Sequence, residues 1–158
     1  MIDKKRLVLN LIDEQASEHL ALVLARFLSA PLILSFSGEI GAGKTTLIRA
    51  MLRALGVSSA IKSPTFSLVE HYDCVGFSVH HFDLYRIHHE DELEYIGFRD
   101  YFSGDSVCCI EWAERAGRLL PQVDVLFDLK VCGAGRELII SSFSTAGQRI
   151  VASLAGEQ

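Results

Sequence analysis

The chain has 158 residues, a formal net charge of -5 and a pI near 5.6. That length suits one domain, residues 1–158, with a core of its own, and the acidic balance excludes a protein that grips a nucleic-acid backbone unaided, because such binding needs a basic face to displace counterions. No secretion signal and no apolar run of membrane-spanning length is read in the sequence, and Cys74, Cys108, Cys109 and Cys132 lack C-x-x-C spacing, so buried, reduced thiols in a cytoplasmic protein are expected.

In chain order, residues 7–11 read as a strand, and Asp13 is placed to cap a helix whose Ala16, Leu20, Val23, Leu24, Phe27 and Leu28 recur on one face. Residues 32–36 form an apolar run that reads as a buried strand. Directly after it, Gly38-Glu39-Ile40-Gly41-Ala42-Gly43-Lys44-Thr45 fits the P-loop pattern G-x-x-x-x-G-K-[ST]. Residues 46–55 then read as a helix closed by Gly56. Strand, loop and helix together are the context the motif requires.

The chemistry explains the residue types. Glycines let the backbone turn sharply and bring N–H groups to phosphate oxygens, while the new helix adds unpaired N–H groups and its positive dipole end. Gly41, Ala42, Gly43, Lys44, Thr45 and Thr46 are therefore the expected phosphate cradle. Lys44 pairs with the β- and γ-phosphates, and the Thr45 hydroxyl ligates a bridging Mg²⁺. Glu14, in the first turn of the earlier helix, either complements the helix dipole or reaches an adenine or ribose.

Beyond the P-loop helix, Ser63-Pro64-Thr65-Phe66 lies where a switch loop returns towards the γ-phosphate in P-loop NTPases, and Thr65 or Ser63 offers a hydroxyl there; an ordinary proline turn is the plainer reading. Residues 66–72 and 77–82 read as strands of a hairpin. Its tip, Asp73-Cys74-Val75-Gly76, spells D-x-x-G, but not just past a parallel strand. Guanine recognition by an N-K-x-D loop is ruled out, because Asn10 is the sole asparagine; ATP is the expected nucleotide.

Asp83 ends the second hairpin strand, where a Walker B carboxylate belongs. A zinc site built from His80, His81 and Asp83 is disfavoured, since alternate strand residues face opposite sides. Arg86 is read as a salt-bridge or phosphate partner. Acidic residues from Glu90 to Glu94 mark a short helix ended by Gly97. Residues 106–110 form a third buried strand ending at Glu111, a candidate to polarise the attacking water or complete the metal shell. Trp112 is either a core aromatic or a neighbour of the nucleotide or a partner. Residues 123–129 and 136–141 alternate around Gly133-Ala134-Gly135 as an antiparallel extension, with Arg136 either solvated or near a base edge, and residues 148–154 read as a helix. The expected fold is an α/β P-loop NTPase domain whose mixed sheet has a parallel core and an antiparallel extension, with helices on both faces.

The P-loop, Ser63-Pro64-Thr65-Phe66, His81-Phe82-Asp83-Leu84-Tyr85-Arg86 and Glu111-Trp112, in this order and spacing, closely resemble the TsaE family, small bacterial ATPases of tRNA threonylcarbamoyladenosine biosynthesis. The likeness runs from about the first strand to Trp112. It implies an ATPase that acts with a threonylcarbamoyl transferase and that subunit's dimerising companion to form N6-threonylcarbamoyladenosine at position 37 of tRNAs reading ANN codons, that does not transfer the group itself, and that meets the tRNA only indirectly. It further implies weak activity alone, with hydrolysis resetting the partners between turnovers. By the same resemblance Lys44, Thr45 and Glu111 serve phosphate and Mg²⁺, Asp83 supports the metal and Thr65 lies in the switch. Two rivals are a small-molecule kinase and a non-catalytic nucleotide-dependent binding module. A kinase normally brings an arginine-rich lid, and no such insertion follows the P-loop helix.

Overall fold

Alternation decides which side of each strand is covered. The computed structural model describes residues 5–102 and 104–158. Its strands are β1 (Arg6–Leu11), β2 (Leu32–Ser37), β3 (Val69–Asp73), β4 (Ser78–Asp83), β5 (Ser106–Glu111), β6 (Val125–Cys132) and β7 (Gly135–Ser142). They form one sheet in the order β1-β7-β6-β2-β5-β4-β3. Strand β2 lies at its centre, parallel to β5 on one side and β6 on the other, and β5 is parallel to β4. The outer pairs β6–β7, β1–β7 and β3–β4 are antiparallel. This is the expected parallel core with an antiparallel extension, plus a hairpin strand at the opposite edge.

Helices α1 (Glu14–Phe27), α2 (Lys44–Ala54) and α4 (Thr145–Gly156) share one face of the sheet. There Leu24, Ile48, Met51 and Leu154 bury their side chains against Leu34, Phe36, Phe127 and Ile140, and Phe36 stacks on Phe127 with ring centroids 4.8 Å apart. The opposite face is covered more thinly, by α3 (Asp91–Tyr95) and by 3-10 segments at Phe98–Phe102 and Ala113–Leu119. Every residue of β5 is buried, and its alternation serves both layers: Val107 and Cys109 join the first core, Cys108 and Ile110 the second. Fully buried side chains of this size contribute about 1.5–3 kcal/mol each relative to exposure.

The helix ends follow from local chemistry. The Asp13 carboxylate accepts from the Ala16 N–H at 2.9 Å and Ser144 Oγ accepts from the Gly147 N–H at 3.0 Å, so both caps satisfy a donor that the helix leaves unpaired. Gly56, at φ 95°, closes α2 in the left-handed conformation that favours glycine.

Three expectations need correction. The strand expected from residue 66 begins at Val69, because the Leu68 N–H turns back to the Pro64 carbonyl at 2.8 Å and Leu68 adopts φ 69°. Strand β6 starts later than residue 123 and runs on to Cys132, since the Asp124 carboxylate is engaged instead by the Ile33 N–H and the Ser144 hydroxyl. The four cysteines are free, and Cys108 and Cys109 are buried, but Cys132 is exposed at the end of β6.

Candidate nucleotide site

The parallel strands bring their C-terminal ends to one edge, where Phe36 of β2 and Asp83 of β4 are both register partners of Glu111 on β5. In-register neighbours share a face. Asp83 and Glu111 lie on the same side as Val79, Val107 and Cys109, which is the side carrying α2. Two carboxylates from different parts of the sequence therefore meet beneath the start of the P-loop helix.

The loop itself tolerates little substitution. A Cβ on Gly38 would stand 2.5 Å from the Leu129 carbonyl oxygen, and Gly43 precedes α2 at φ 106°, in the region that favours glycine. Helix α2 then begins at Lys44, so the first-turn N–H groups face the loop without helical acceptors. Lys44 is only 6% exposed. Its ammonium donates to the Gly38 carbonyl and to the Glu39 carbonyl at 3.3 Å, and it lies 4.4 Å from the centre of the Trp112 ring. Trp112 is half-buried at φ 58°, with Tyr85 packed 5.1 Å away on ring centroids.

Below the loop, the Thr45 hydroxyl lies 2.9 and 3.0 Å from the two oxygens of Glu111. His81 Nε2 approaches the same carboxylate at 2.6 Å. Across the cavity, the Thr65 hydroxyl donates to Asp83 Oδ2 at 3.3 Å and shares a 2.8 Å hydrogen bond with Ser63. The Tyr85 N–H fixes the other Asp83 oxygen at 3.1 Å. A cavity of about 370 Å³ is lined by Lys44, Thr45, Thr65, Asp83, Glu111 and Trp112. A second, of about 240 Å³, is lined by Glu14, Gly41, Ala42, Thr46 and Arg136. The two share Gly41, Gly43 and Thr46, so the P-loop divides one cleft into a carboxylate side and a side open to α1 and β7.

Glu14, the P-loop residues Gly41 to Thr46, Thr65, Asp83, Glu111 and Arg136 thus each line one of the two cavities, whereas Ser63 and Arg86 line neither, and two arginines behave differently from expectation. Arg136 is not a solvated edge residue: its Nε donates to the Ala42 carbonyl at 2.8 Å and its Nη2 reaches the Gly41 carbonyl at 3.4 Å, tying β7 to the P-loop backbone. Arg86 forms no ion pair among the described residues and stacks over the exposed Phe66 ring at 4.3 Å. His81 was missed as a site residue. Strand alternation carried the signal, since it puts His81 on the face of Asp83, whereas His80 faces away and lies 2.9 Å from His71. Burial and the neighbouring His71 hold His80 below its usual pKa.

The donor set suits the group expected there. Thr45, Thr65, Asp83 and Glu111 present oxygen atoms alone, the chemistry of a hard cation such as Mg²⁺, and the glycine-built loop above them suits phosphate.

Comparison with known proteins agrees with this geometry. Residues 11–138 match the family model described as "Threonylcarbamoyl adenosine biosynthesis protein TsaE". The chain is 41% identical over 119 residues to tRNA threonylcarbamoyladenosine biosynthesis protein TsaE of Haemophilus influenzae, covering 75% of each. It is 32% identical to the protein of that name from Bacillus subtilis, covering 92% of this chain and 89% of the relative. The crystal structure of Bacillus subtilis YdiB superposes with a TM-score of 0.81 at 25% identity, covering 99% of each chain. With its P-loop fold, its paired carboxylates and a family match across most of its length, the chain belongs to the TsaE family of tRNA threonylcarbamoyladenosine biosynthesis proteins.

Proposed function

We propose that this chain is the Mg²⁺-dependent ATPase required for N6-threonylcarbamoyladenosine formation at adenosine 37 of tRNAs reading ANN codons, acting in the cytoplasm with the transferase subunit and its dimerising companion. One observation carries the reading: the P-loop Thr45 hydroxyl is hydrogen-bonded to the strand-end Glu111 carboxylate at 2.9 Å, with Lys44 beside them. In P-loop NTPases a hydroxyl and a strand-end carboxylate hold the metal together.

Each residue then has a task. The main-chain N–H groups of the loop and Lys44 bind phosphate, and Lys44 exchanges its carbonyl partners for phosphate oxygens. Thr45 and Glu111 hold Mg²⁺, which when bound neutralises charge on the phosphoryl oxygens. Glu111, which lines the cavity, also suits orientation of the attacking water. Asp83 ties the metal side of the site to the switch residue Thr65, and Glu14, Thr46 and Arg136 border the side left for the base and sugar.

The partner requirement has support at the mouth of the site. Ile40, which lines the cavity with Tyr85 and Trp112, is 72% exposed, and Phe66, next in the chain to the cavity residue Thr65, is 83% exposed. Apolar side chains left in water around a charged cleft suit a docking rim. A net charge of -5 leaves tRNA contact to the partners. The test is ATP turnover by the purified chain, alone and with the two partners. Weak turnover that rises on their addition, together with modified tRNA, is expected. A rate indifferent to the partners would overturn the proposed division of labour.

A further inference from the structure

We propose that His81 is a positioning residue of this site: its Nε2–H holds the Glu111 carboxylate in the orientation that Thr45 and the metal require. The inference rests on reading the site as a Mg²⁺-nucleotide site and adds to it a group not yet given a role. His81 is 1% exposed and Glu111 2% exposed, and their side chains meet at 2.6 Å. The other imidazole nitrogen, Nδ1, is buried without a hydrogen-bond partner among the described residues. A ring with one nitrogen left bare carries a desolvation cost that an apolar residue would avoid. Its in-register neighbour across β5 is Cys109, inside an otherwise apolar layer, so packing alone is served as well by leucine. Among the described residues, the one side-chain bond that the imidazole makes goes to Glu111.

The geometry explains why that bond matters. Glu111 stands two residues beyond Cys109, so His81 reaches it diagonally from β4, while Thr45 reaches it from α2. Three elements therefore converge on one carboxylate. An ionised carboxylate has about four acceptor directions. The Nε2–H and the Thr45 O–H fix its rotation and leave the remaining lone pairs of this cavity-lining carboxylate for a cation. Such supporting hydrogen bonds on a metal-side carboxylate are worth about 10–100-fold in metal affinity or activity. With Nδ1 partnerless, the proton shared with Glu111 belongs on Nε2.

Three measurements on the full chain test this. In ¹⁵N-histidine NMR spectra His81 should show the Nε2–H form with a slowly exchanging proton; an Nδ1–H form overturns the proposal without any mutation. His81→Leu should keep the metal-free ATP affinity, read by calorimetry in EDTA, while the affinity gained on adding Mg²⁺ falls about 10-fold or more. ATP turnover should fall about 10–100-fold, and His81→Gln, whose amide can place an N–H near the same point, should recover most of both losses. Wild-type Mg²⁺ enhancement and turnover in a folded His81→Leu protein would contradict the assignment, as would failure of His81→Gln to recover either. Lack of turnover in the wild-type chain would count against the ATPase reading alone, because the NMR signal and the Mg²⁺ linkage are read without catalysis.

Discussion

Lys44 holds a positive charge almost out of water with main-chain carbonyls and an indole face for company, and it forms no ion pair among the described residues. A phosphate supplies the anion that this arrangement lacks. Lys44→Ala should therefore cost about 1.5–3 kcal/mol of ATP binding, the range for a hydrogen bond to a charged group, or about 10–150-fold in Kd by calorimetry. Unchanged affinity would remove Lys44 from the site. The cysteines differ just as sharply among themselves. Burial pushes the Cys108 thiol up to about 11 and that of Cys109 well above its ordinary value, so at pH 8 a maleimide should label the exposed Cys132 and leave Cys108 and Cys109 intact. The folded chain binds the Cys108 proton more tightly than the unfolded chain does. Its contribution to stability is present below the unfolded pKa and is lost as pH climbs towards about 11. Denaturant midpoints that stay flat from about pH 8.5 to 11 would contradict this.

At the scale of elements, the P-loop is held from two sides. Gly38 abuts the Leu129 carbonyl of β6, and Arg136 of β7 donates to the Ala42 and Gly41 carbonyls. Removing this clamp in Arg136→Ala should cost about 1–2 kcal/mol of stability for the bonds lost, and the loosened loop should bind ATP more weakly. A denaturation midpoint and a Kd both equal to wild type would show the clamp to be idle. Much of this element-level structure was legible in the sequence. The motif fixed β2, loop and α2, and the strand-end positions of Asp83 and Glu111 followed from the lengths of the apolar runs. What was not legible depends on neighbours distant in sequence. Arg136 lies more than ninety residues beyond the loop it clamps, and an arginine at the start of a strand carries no local mark of that role. The Leu68 turn that delays β3 arises from one hydrogen bond to Pro64, against the strand propensity of the residues around it. His81 was assigned no role because the pairing of β4 with β5, and not its own strand, brings it to Glu111.

Across the whole molecule, one seven-stranded sheet joins the P-loop half to the hairpin of β6 and β7, and α4 packs into the same core as α1 and α2. We propose a single domain over residues 1–158, which predicts one cooperative unfolding transition seen alike by far-UV circular dichroism and by Trp112 fluorescence. Separate transitions by the two probes would divide the chain. Among the described residues no helix is long and apolar enough to cross a membrane. Ile40 and Phe66 leave apolar side chains in water, the kind of surface that the proposed partner docking would use. The most direct test of the account is calorimetric titration of the full chain with ATP, first in EDTA and then in Mg²⁺. The account predicts one site per chain, tighter with Mg²⁺ and weakened by Lys44→Ala. No heat of binding in either condition, or heat that Lys44→Ala leaves untouched, would contradict it.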